Sequence, residues 1–110
     1  MKKIVTLALA LALALSANWL WLAPTNTVQA AANGEELFNQ RCSACHANGG
    51  NIINPQKTLF KANREANRVT TAEAIIDKMR NPGPGMSKFD TNFLPDTDAK
   101  VIAEYILKTF

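Results

Sequence analysis

The sequence predicts a small all-α domain that follows an N-terminal export signal. Three observations support this fold class. The chain has 110 residues, which is enough for one small domain. Its apolar residues recur at spacings of three and four, and no segment alternates with a period of two. Glycine and proline number five each, so a collagen-like or broadly disordered composition is excluded.

The start of the chain has the three parts of a secretory signal peptide. Residues 1–3 are basic at Lys2 and Lys3, and residues 4–15 are apolar apart from one threonine. Small residues then offer a cleavage site after Ala30 or Ala32. We therefore predict a signal peptide at residues 1–30 and a mature domain at residues 31–110.

The competing interpretation of this segment is an uncleaved membrane anchor. Residues 4–22 approach the roughly 20 apolar residues that a spanning helix needs. However, Ser16 and Asn18 interrupt the segment, Pro24 follows it, and no basic cluster stands behind it. These flanks favour cleavage, so we expect no stable membrane insertion of the mature domain.

The mature domain would have almost no net charge, and its hydrophobic core would be too small to stabilise the fold well. Loss of the two N-terminal lysines leaves ten basic against nine acidic residues, which excludes the strongly basic surface of a nucleic-acid binder. A domain of this length usually needs a disulfide, a metal or another added stabilising group. A Cys42–Cys45 disulfide would close too short a loop to stabilise the fold much.

The first predicted helix begins at Asn33, which can cap it in a capping box with Glu36. Its apolar face includes Phe38, and the polar run at residues 47–51 ends it. A weak helical stretch is predicted around residues 58–65.

The second helix is predicted at residues 70–80, with a capping box formed by Thr70 and Glu73. It ends before Pro82, because proline disfavours helical geometry in the residue that precedes it. The third helix is predicted at residues 95–109, with acidic residues in its first turn, where the helix dipole favours them.

Cys42, Cys45 and His46 are the most informative residues of the chain. They include both cysteines and the single histidine, and on one helical turn they can face the same way. The C-x-x-C-H pattern is typical of c-type haem attachment, with two thioether bonds and one axial nitrogen for the iron. A covalently bound haem would also supply the added stabilisation that the small domain needs.

Three competing roles for these cysteines are less well supported. A thioredoxin-like dithiol would lie near a strand–helix–strand unit, and no strand pattern precedes it. A structural zinc site needs four ligands, and the chain offers three. A purely structural pair of cysteines explains neither their spacing nor the histidine.

The second axial position of the iron is open to methionine, lysine, water or no ligand. Met79 lies on the apolar stripe of a predicted helix, where it fills the core. Met86 follows the stiff loop at residues 81–85, which contains two prolines and two glycines. We therefore predict His46 and Met86 as the two axial ligands, which would raise the reduction potential and close the iron to small ligands.

These residues resemble class I cytochromes c and, more closely, the cytochrome c6 family. The segments at residues 42–51 and 55–59 are similar to the haem-attachment region of that family. Gly34 and Phe38, with Tyr105, resemble the helix crossing of class I cytochromes. Departures include the Pro/Gly run before Met86, Ser87 after it, and Lys78 where many members have glutamine.

The resemblance implies a small class I cytochrome c fold of three to four helices around one covalently bound haem c. It implies a soluble single-electron carrier in the thylakoid lumen or periplasm. The partners would be the cytochrome b6f complex and photosystem I, or a terminal oxidase. It also implies that the Pro55 carbonyl accepts the second ring N–H of His46.

No acid–base pair or substrate pocket is evident, so the chain is predicted not to be an enzyme. The alternatives are a ligand-binding or peroxidase-like haem protein with an open sixth position, and a thiol oxidoreductase. Because the mature domain is nearly neutral, we expect long-range charge steering to be weak and partner contact to rest on an apolar rim around the haem edge. A steep salt dependence of electron transfer would instead implicate a local basic run: Lys57, Lys61, Arg64 and Arg68.

Overall fold

The computed structural model describes residues 26–110, with side chains described from residue 33 onward. The elements in chain order are α1 (Asn26–Arg41), α2 (Ser43–His46), a 3-10 turn (Ala47–Gly49), α3 (Lys61–Ala66), α4 (Ala72–Arg80) and α5 (Asp96–Thr109). No strand occurs in this part of the chain, so the predicted all-α class is confirmed. Most of the predicted signal peptide, residues 1–25, lies outside the described residues, and its cleavage stays a prediction.

Helix α1 begins at Asn26, so the predicted start at Asn33 is wrong. Three consecutive alanines, residues 30–32, precede Asn33, and alanine has the highest helix propensity. The helix therefore continues upstream through the predicted cleavage region, and Asn33 lies inside it instead of capping it.

Helices α1 and α5 cross at Gly34, as the class I pattern implies. A Cβ atom on Gly34 would lie 2.8 Å from the Tyr105 Cβ and 2.9 Å from the Val101 carbonyl oxygen. Only glycine allows this separation between the two backbones. One turn further on, the Phe38 ring packs at 5.4 Å from the Tyr105 ring and 5.5 Å from the Phe110 ring.

Helix α4 is capped by Thr71 and not by the predicted Thr70. The Thr71 hydroxyl accepts a hydrogen bond from the Ala74 N–H at 3.1 Å, and Thr71 has the extended backbone of an N-cap residue. The helix ends at Arg80, before Pro82, as predicted. Helix α5 is also found as predicted, at Asp96–Thr109 after Pro95.

Asparagine side chains hold the segment before α3 against that helix. Asn63 donates to the Pro55 carbonyl at 3.1 Å, and Asn67 donates to the Gln56 carbonyl at 3.1 Å. The Lys61 N–H donates to the carbonyl of Phe110, the last residue, at 2.8 Å. The weak helix predicted at residues 58–65 is thus a short helix at Lys61–Ala66, anchored at both ends.

The hydrophobic core lies where α1, α4 and α5 meet. Its buried members are Phe38, Ile75, Met79, Leu94, Ala99, Ile102, Ala103 and Ile106. Leu94 and Ile102 are the largest side chains that are fully buried, so the most deeply buried part of the core lies at α5 and just before it. Within residues 26–110, no helix has the length and apolar character to cross a membrane.

Candidate cofactor site

A cleft of about 470 Å³ opens beside this core. Its volume lies within the range of about 300–1,000 Å³ that is typical of cofactor sites. All four predicted site residues line it: Cys42, Cys45, His46 and Met86. The structure therefore brings together two segments that are separated by 40 positions in the chain.

The cysteines and the histidine lie on one helical turn that is hinged at Cys42. Cys42 has φ −121° and ψ −31°, so it interrupts the helix between α1 and α2. The hydrogen bonds continue across the break: the Cys42 N–H donates to Phe38 and the His46 N–H donates to Cys42. The hinge redirects α2 so that both thiols and the imidazole line the cleft.

The His46 ring has one nitrogen fixed and one nitrogen available. Its Nδ1 lies 2.8 Å from the Gly50 carbonyl oxygen. A carbonyl only accepts, so Nδ1 carries a proton, and in the neutral form of this tautomer Nε2 has the lone pair that can bind a metal. A hydrogen bond of this kind orients a metal-binding histidine.

Gly50, and not the expected Pro55, is the acceptor for His46. Asn48 and Gly49 have φ of 51° and 80°, so the chain reverses directly after His46 and returns the Gly50 carbonyl to the ring. The Pro55 carbonyl instead accepts from the Asn63 side chain.

The two cysteines differ in environment. Cys45 is exposed, whereas Cys42 is half-buried, and both are free thiols. Burial raises the pKa of the Cys42 thiol to about 11, although the adjacent Arg41 guanidinium lowers it. A dithiol oxidoreductase requires a thiol with a lowered pKa, so this environment disfavours that alternative.

The described side chains do not form a cluster of ligands for a bare metal ion. Among residues 33–110, no group of three or more His, Cys, Asp or Glu side chains could hold a metal ion. This disfavours the zinc alternative.

Met86 is held at the edge of the cleft by a loop whose two ends are tied together. The Phe89 N–H donates to the Met79 carbonyl at 2.9 Å, which closes the loop. Gly85 has φ +90° and packs against Ile53, where a Cβ would lie 3.1 Å from Ile53 Cγ2. Met86 itself is half-buried.

Arg80 joins this loop to helix α5. Its Nη1 donates to the Phe89 carbonyl at 2.8 Å, and its Nη2 donates to Asp96 at 2.6 Å. The guanidinium thus fastens the end of the Met86 loop to the first turn of α5. Arg80 does not stand out in the sequence, because a basic residue in the last turn of a helix is common.

Met79 lines the same cleft from the core side. It is 4% exposed and belongs to the buried cluster, as its place on the helical stripe predicted. The cleft floor also includes Leu59, Ile75, Leu94 and Ile106. An apolar floor beneath two thiols and an imidazole fits a large flat cofactor such as haem.

Two polar residues of the cleft do not belong to the site that the sequence predicts. Arg64 is 6% exposed, so it does not share the surface position of its basic neighbours Lys57, Lys61 and Arg68. The Thr58 hydroxyl is buried and has no hydrogen-bond partner. The sequence does not show which side of α3 meets the cleft. It therefore gives no sign that Arg64 is buried.

Comparisons with known proteins identify the family of this chain. A family model described as cytochrome c oxidase, cbb3-type, subunit III matches residues 29–106. Cytochrome c6 of Cyanidioschyzon merolae is 42% identical over 76 residues, which cover 69% of this chain and 71% of that protein. Cytochrome c6 of Gracilaria tenuistipitata var. liui is 41% identical over 88 residues, covering 76% of this chain and 81% of that protein. This chain belongs to the cytochrome c6 family.

Solved structures support the same assignment. OmcF, outer membrane cytochrome F of Geobacter sulfurreducens, is 45% identical with a TM-score of 0.68, and the match covers 70% of this chain and 98% of that one. Cytochrome c6C of Synechococcus sp. PCC 7002 is 30% identical with a TM-score of 0.65, covering 69% of this chain and 92% of that one. The predicted small class I cytochrome c fold is confirmed.

Membership of this family establishes the cofactor and the class of activity. The cytochrome carries one covalently bound haem c and is an electron-transfer protein, not an enzyme. The cleft fits that group, since it offers two thiols, an imidazole with an available nitrogen and an apolar floor. Bound there, haem supplies the one-electron chemistry of its iron.

Proposed function

We propose that the protein is a single-electron carrier whose haem is attached through Cys42 and Cys45 and ligated by His46 and Met86. One observation supports this proposal above all. Met86 lines the same cleft as His46, and its loop is closed by the hydrogen bond between Phe89 and Met79. Two axial ligands from separate segments of the chain would hold the iron from both sides. Such ligation raises the reduction potential and excludes small ligands, which suits electron transfer.

The surface around the attachment site supports transfer at close contact. Cys45 is exposed, so a group bonded to it has one edge near the solvent. Two large apolar side chains follow the attachment segment closely in the chain and are exposed to solvent: Ile52 is 71% exposed and Ile53 is 58% exposed. They would form part of an apolar docking rim, where partner contact depends little on long-range charge.

For partners, we propose the cytochrome b6f complex as donor and photosystem I or a terminal oxidase as acceptor. The names of the cytochrome c6 relatives support the photosynthetic pair. The name of OmcF, a 45% identical protein, refers to an outer membrane, which supports a periplasmic setting equally well. Export by a signal peptide at residues 1–30 to the thylakoid lumen or periplasm is part of this proposal.

Redox titration and carbon monoxide binding test the proposed carrier. The purified haem-loaded protein should titrate as a reversible one-electron couple. The reduced protein should not bind carbon monoxide, because Met86 fills the sixth position. Carbon monoxide binding by the wild-type protein would contradict the proposal and favour the ligand-binding alternative.

A kinetic experiment separates the proposed acceptors. The reduced cytochrome is mixed either with photosystem I, which a laser flash then oxidises, or with membranes that contain a terminal oxidase. We expect the rate of photosystem I re-reduction, or the rate of oxygen uptake by the oxidase, to rise in proportion to the cytochrome concentration in at least one system. No acceleration in either system would contradict the proposed acceptors while leaving haem attachment intact.

A further inference from the structure

Arg64 is a buried cation with no counter-charge supplied by the described residues. Its Nε donates to the Leu59 carbonyl at 2.8 Å. It is the one buried charged side chain among residues 33–110, and no carboxylate of those residues lies within salt-bridge distance of it. Of its five N–H groups, only Nε–H has a partner within this part of the chain.

A buried guanidinium without an anion is costly, because burial removes water that would otherwise stabilise the charge. Arginine binds carboxylates with particular strength, through two parallel N–H···O hydrogen bonds. Since Arg64 lines the cofactor cleft, its free N–H groups are available to an anionic group bound there.

The Thr58 hydroxyl is a second unpaired group in the same cleft. It is buried and has no partner, although buried polar groups are nearly always hydrogen-bonded. Thr58 directly precedes Leu59, whose carbonyl holds Arg64. The same cleft is therefore lined by one unsatisfied hydroxyl and one guanidinium with free N–H groups.

The charged side chains around the cleft are all basic. Among the described residues that line it there is no Asp or Glu, and its permanently charged members are Arg41, Lys57, Arg64 and Lys78. This charge complements a ligand that carries carboxylates. Haem c carries two propionate carboxylates beside its apolar ring.

We propose that Arg64 and Thr58 form the binding site for one haem propionate. Arg64 supplies paired N–H donors and Thr58 supplies an O–H donor to the same carboxylate. The site positions the haem in the cleft and neutralises a negative charge close to the iron. This inference rests on haem attachment at Cys42 and Cys45 and does not depend on Met86 as a ligand.

Substitution of Arg64 tests the site, with Arg68 as the matched control. Arg64→Gln removes the charge, and Arg64→Lys keeps the charge but not the paired donors. Arg68 lies four residues further on, is exposed and does not line the cleft, so Arg68→Gln controls for net charge. Thr58→Val removes the hydroxyl while nearly keeping the side-chain shape.

The first readout is the propionate bending band in the resonance Raman spectrum. We expect this band to shift in Arg64→Gln and in Thr58→Val, and to stay unchanged in Arg68→Gln. Arg64→Lys should give a smaller shift than Arg64→Gln, and it serves where the glutamine variant does not fold. An unchanged band in both Arg64 variants would overturn the proposal.

The second readout is the pH dependence of the midpoint potential. A nearby cation favours the charged carboxylate, so the loss of Arg64 should let the propionate titrate at higher pH. In Arg64→Gln the potential should then fall as the pH rises through that titration, because an unpaired carboxylate stabilises Fe(III). The other titratable or charged groups around the cleft, Arg41, His46, Lys57 and Lys78, are the same in every variant.

Two further measurements distinguish a propionate site from a free-anion site and from failed haem attachment. If Arg64 instead binds a free anion, added inorganic phosphate will shift the wild-type potential or the Raman band, and that result would overturn the proposal. Retention of haem by the denatured polypeptide is measured in each variant. Lost retention in the wild type would show that attachment itself had failed, separately from the propionate site.

Discussion

Gly34 determines how closely α1 and α5 approach. The space beside it is already filled by backbone and by the base of a side chain, neither of which has a flexible end that could move away. The contact between Phe38 and Tyr105 depends on this approach, since both rings lie on the same two helices. The helix crossing is thus controlled by a single missing methyl group.

Gly34→Ala should lower the free energy of unfolding by about 1–2 kcal/mol. The overpacking penalty exceeds the gain in helix propensity that alanine brings. Glu35→Ala is the matched control, because Glu35 is the next residue of the same helix and its side chain is exposed. It should change stability by less than about 0.5 kcal/mol. Guanidinium denaturation of the haem-loaded protein measures both, and equal effects would contradict the account of the crossing.

The structure also explains which residue properties the sequence could not reveal. The acceptor of the His46 ring depends on the left-handed backbone of Asn48 and Gly49, which reverses the chain before Pro55 is reached. The burial of Arg64 depends on which side of the short helix α3 meets the cleft. Local spacing contains neither piece of information, whereas the C-x-x-C-H pattern is local and can be read directly.

At the scale of elements, periodicity and end signals predicted α4 and α5 well. The predicted cap of α4, Thr70, is one residue before the observed cap, Thr71, because two consecutive threonines both fit the pattern of a cap. The predicted start of α1 is wrong, because the alanines before Asn33 prolong the helix beyond a residue that is able to cap it. The first residue of a helix is harder to predict than the helix itself when neighbouring residues can each serve as the cap.

Replacing each threonine at the start of α4 tests which one is the cap. Thr71→Ala should cost about 1 kcal/mol of stability, because the Ala74 N–H loses its acceptor. Thr70→Ala should change stability by less than about 0.5 kcal/mol, since Thr70 is exposed and outside the helix. Thermal unfolding followed by circular dichroism compares them, and a larger cost at Thr70 would make Thr70 the cap.

Arg80 is the link between the Met86 loop and α5. Arg80→Met keeps an apolar stem but removes the hydrogen bond to the half-buried Phe89 carbonyl, so it should cost about 1.5–3 kcal/mol. The bond to Asp96 adds little, because that carboxylate is 78% exposed. Chemical denaturation measures the loss of stability.

Lys100→Met is the control for this prediction. It removes one partner of an exposed ion pair with Glu104 at 3.9 Å, which should cost less than about 0.5 kcal/mol. If Arg80→Met is no more destabilising than Lys100→Met, Arg80 does not secure the loop.

For the whole molecule, the cofactor cleft is part of the core. Leu94, Ile75, Met79 and Ile106 belong both to the buried cluster and to the lining of the cleft. A domain of this length has few other buried side chains, so it depends on the group that fills the cleft for much of its stability. The general fold class was predictable from periodicity, but this dependence follows from the packing.

Cys42→Ser with Cys45→Ser should therefore give a largely unfolded polypeptide without haem. Each single variant keeps one thiol and should retain a folded protein with one thioether bond. Far-ultraviolet circular dichroism measures the helix content of all three proteins. A double variant that keeps the wild-type helix content without haem would show that the core is sufficient on its own.

The most direct test of the proposed carrier is the weak long-wavelength absorption band that methionine sulfur gives on Fe(III). We predict that the oxidised wild-type protein has this band and that Met86→Ala abolishes it. Met79→Leu conserves volume and should keep the band, at a cost below about 1.5 kcal/mol of stability. Loss of the band in Met79→Leu but not in Met86→Ala would reverse the ligand assignment, and its absence from the wild type would contradict methionine ligation.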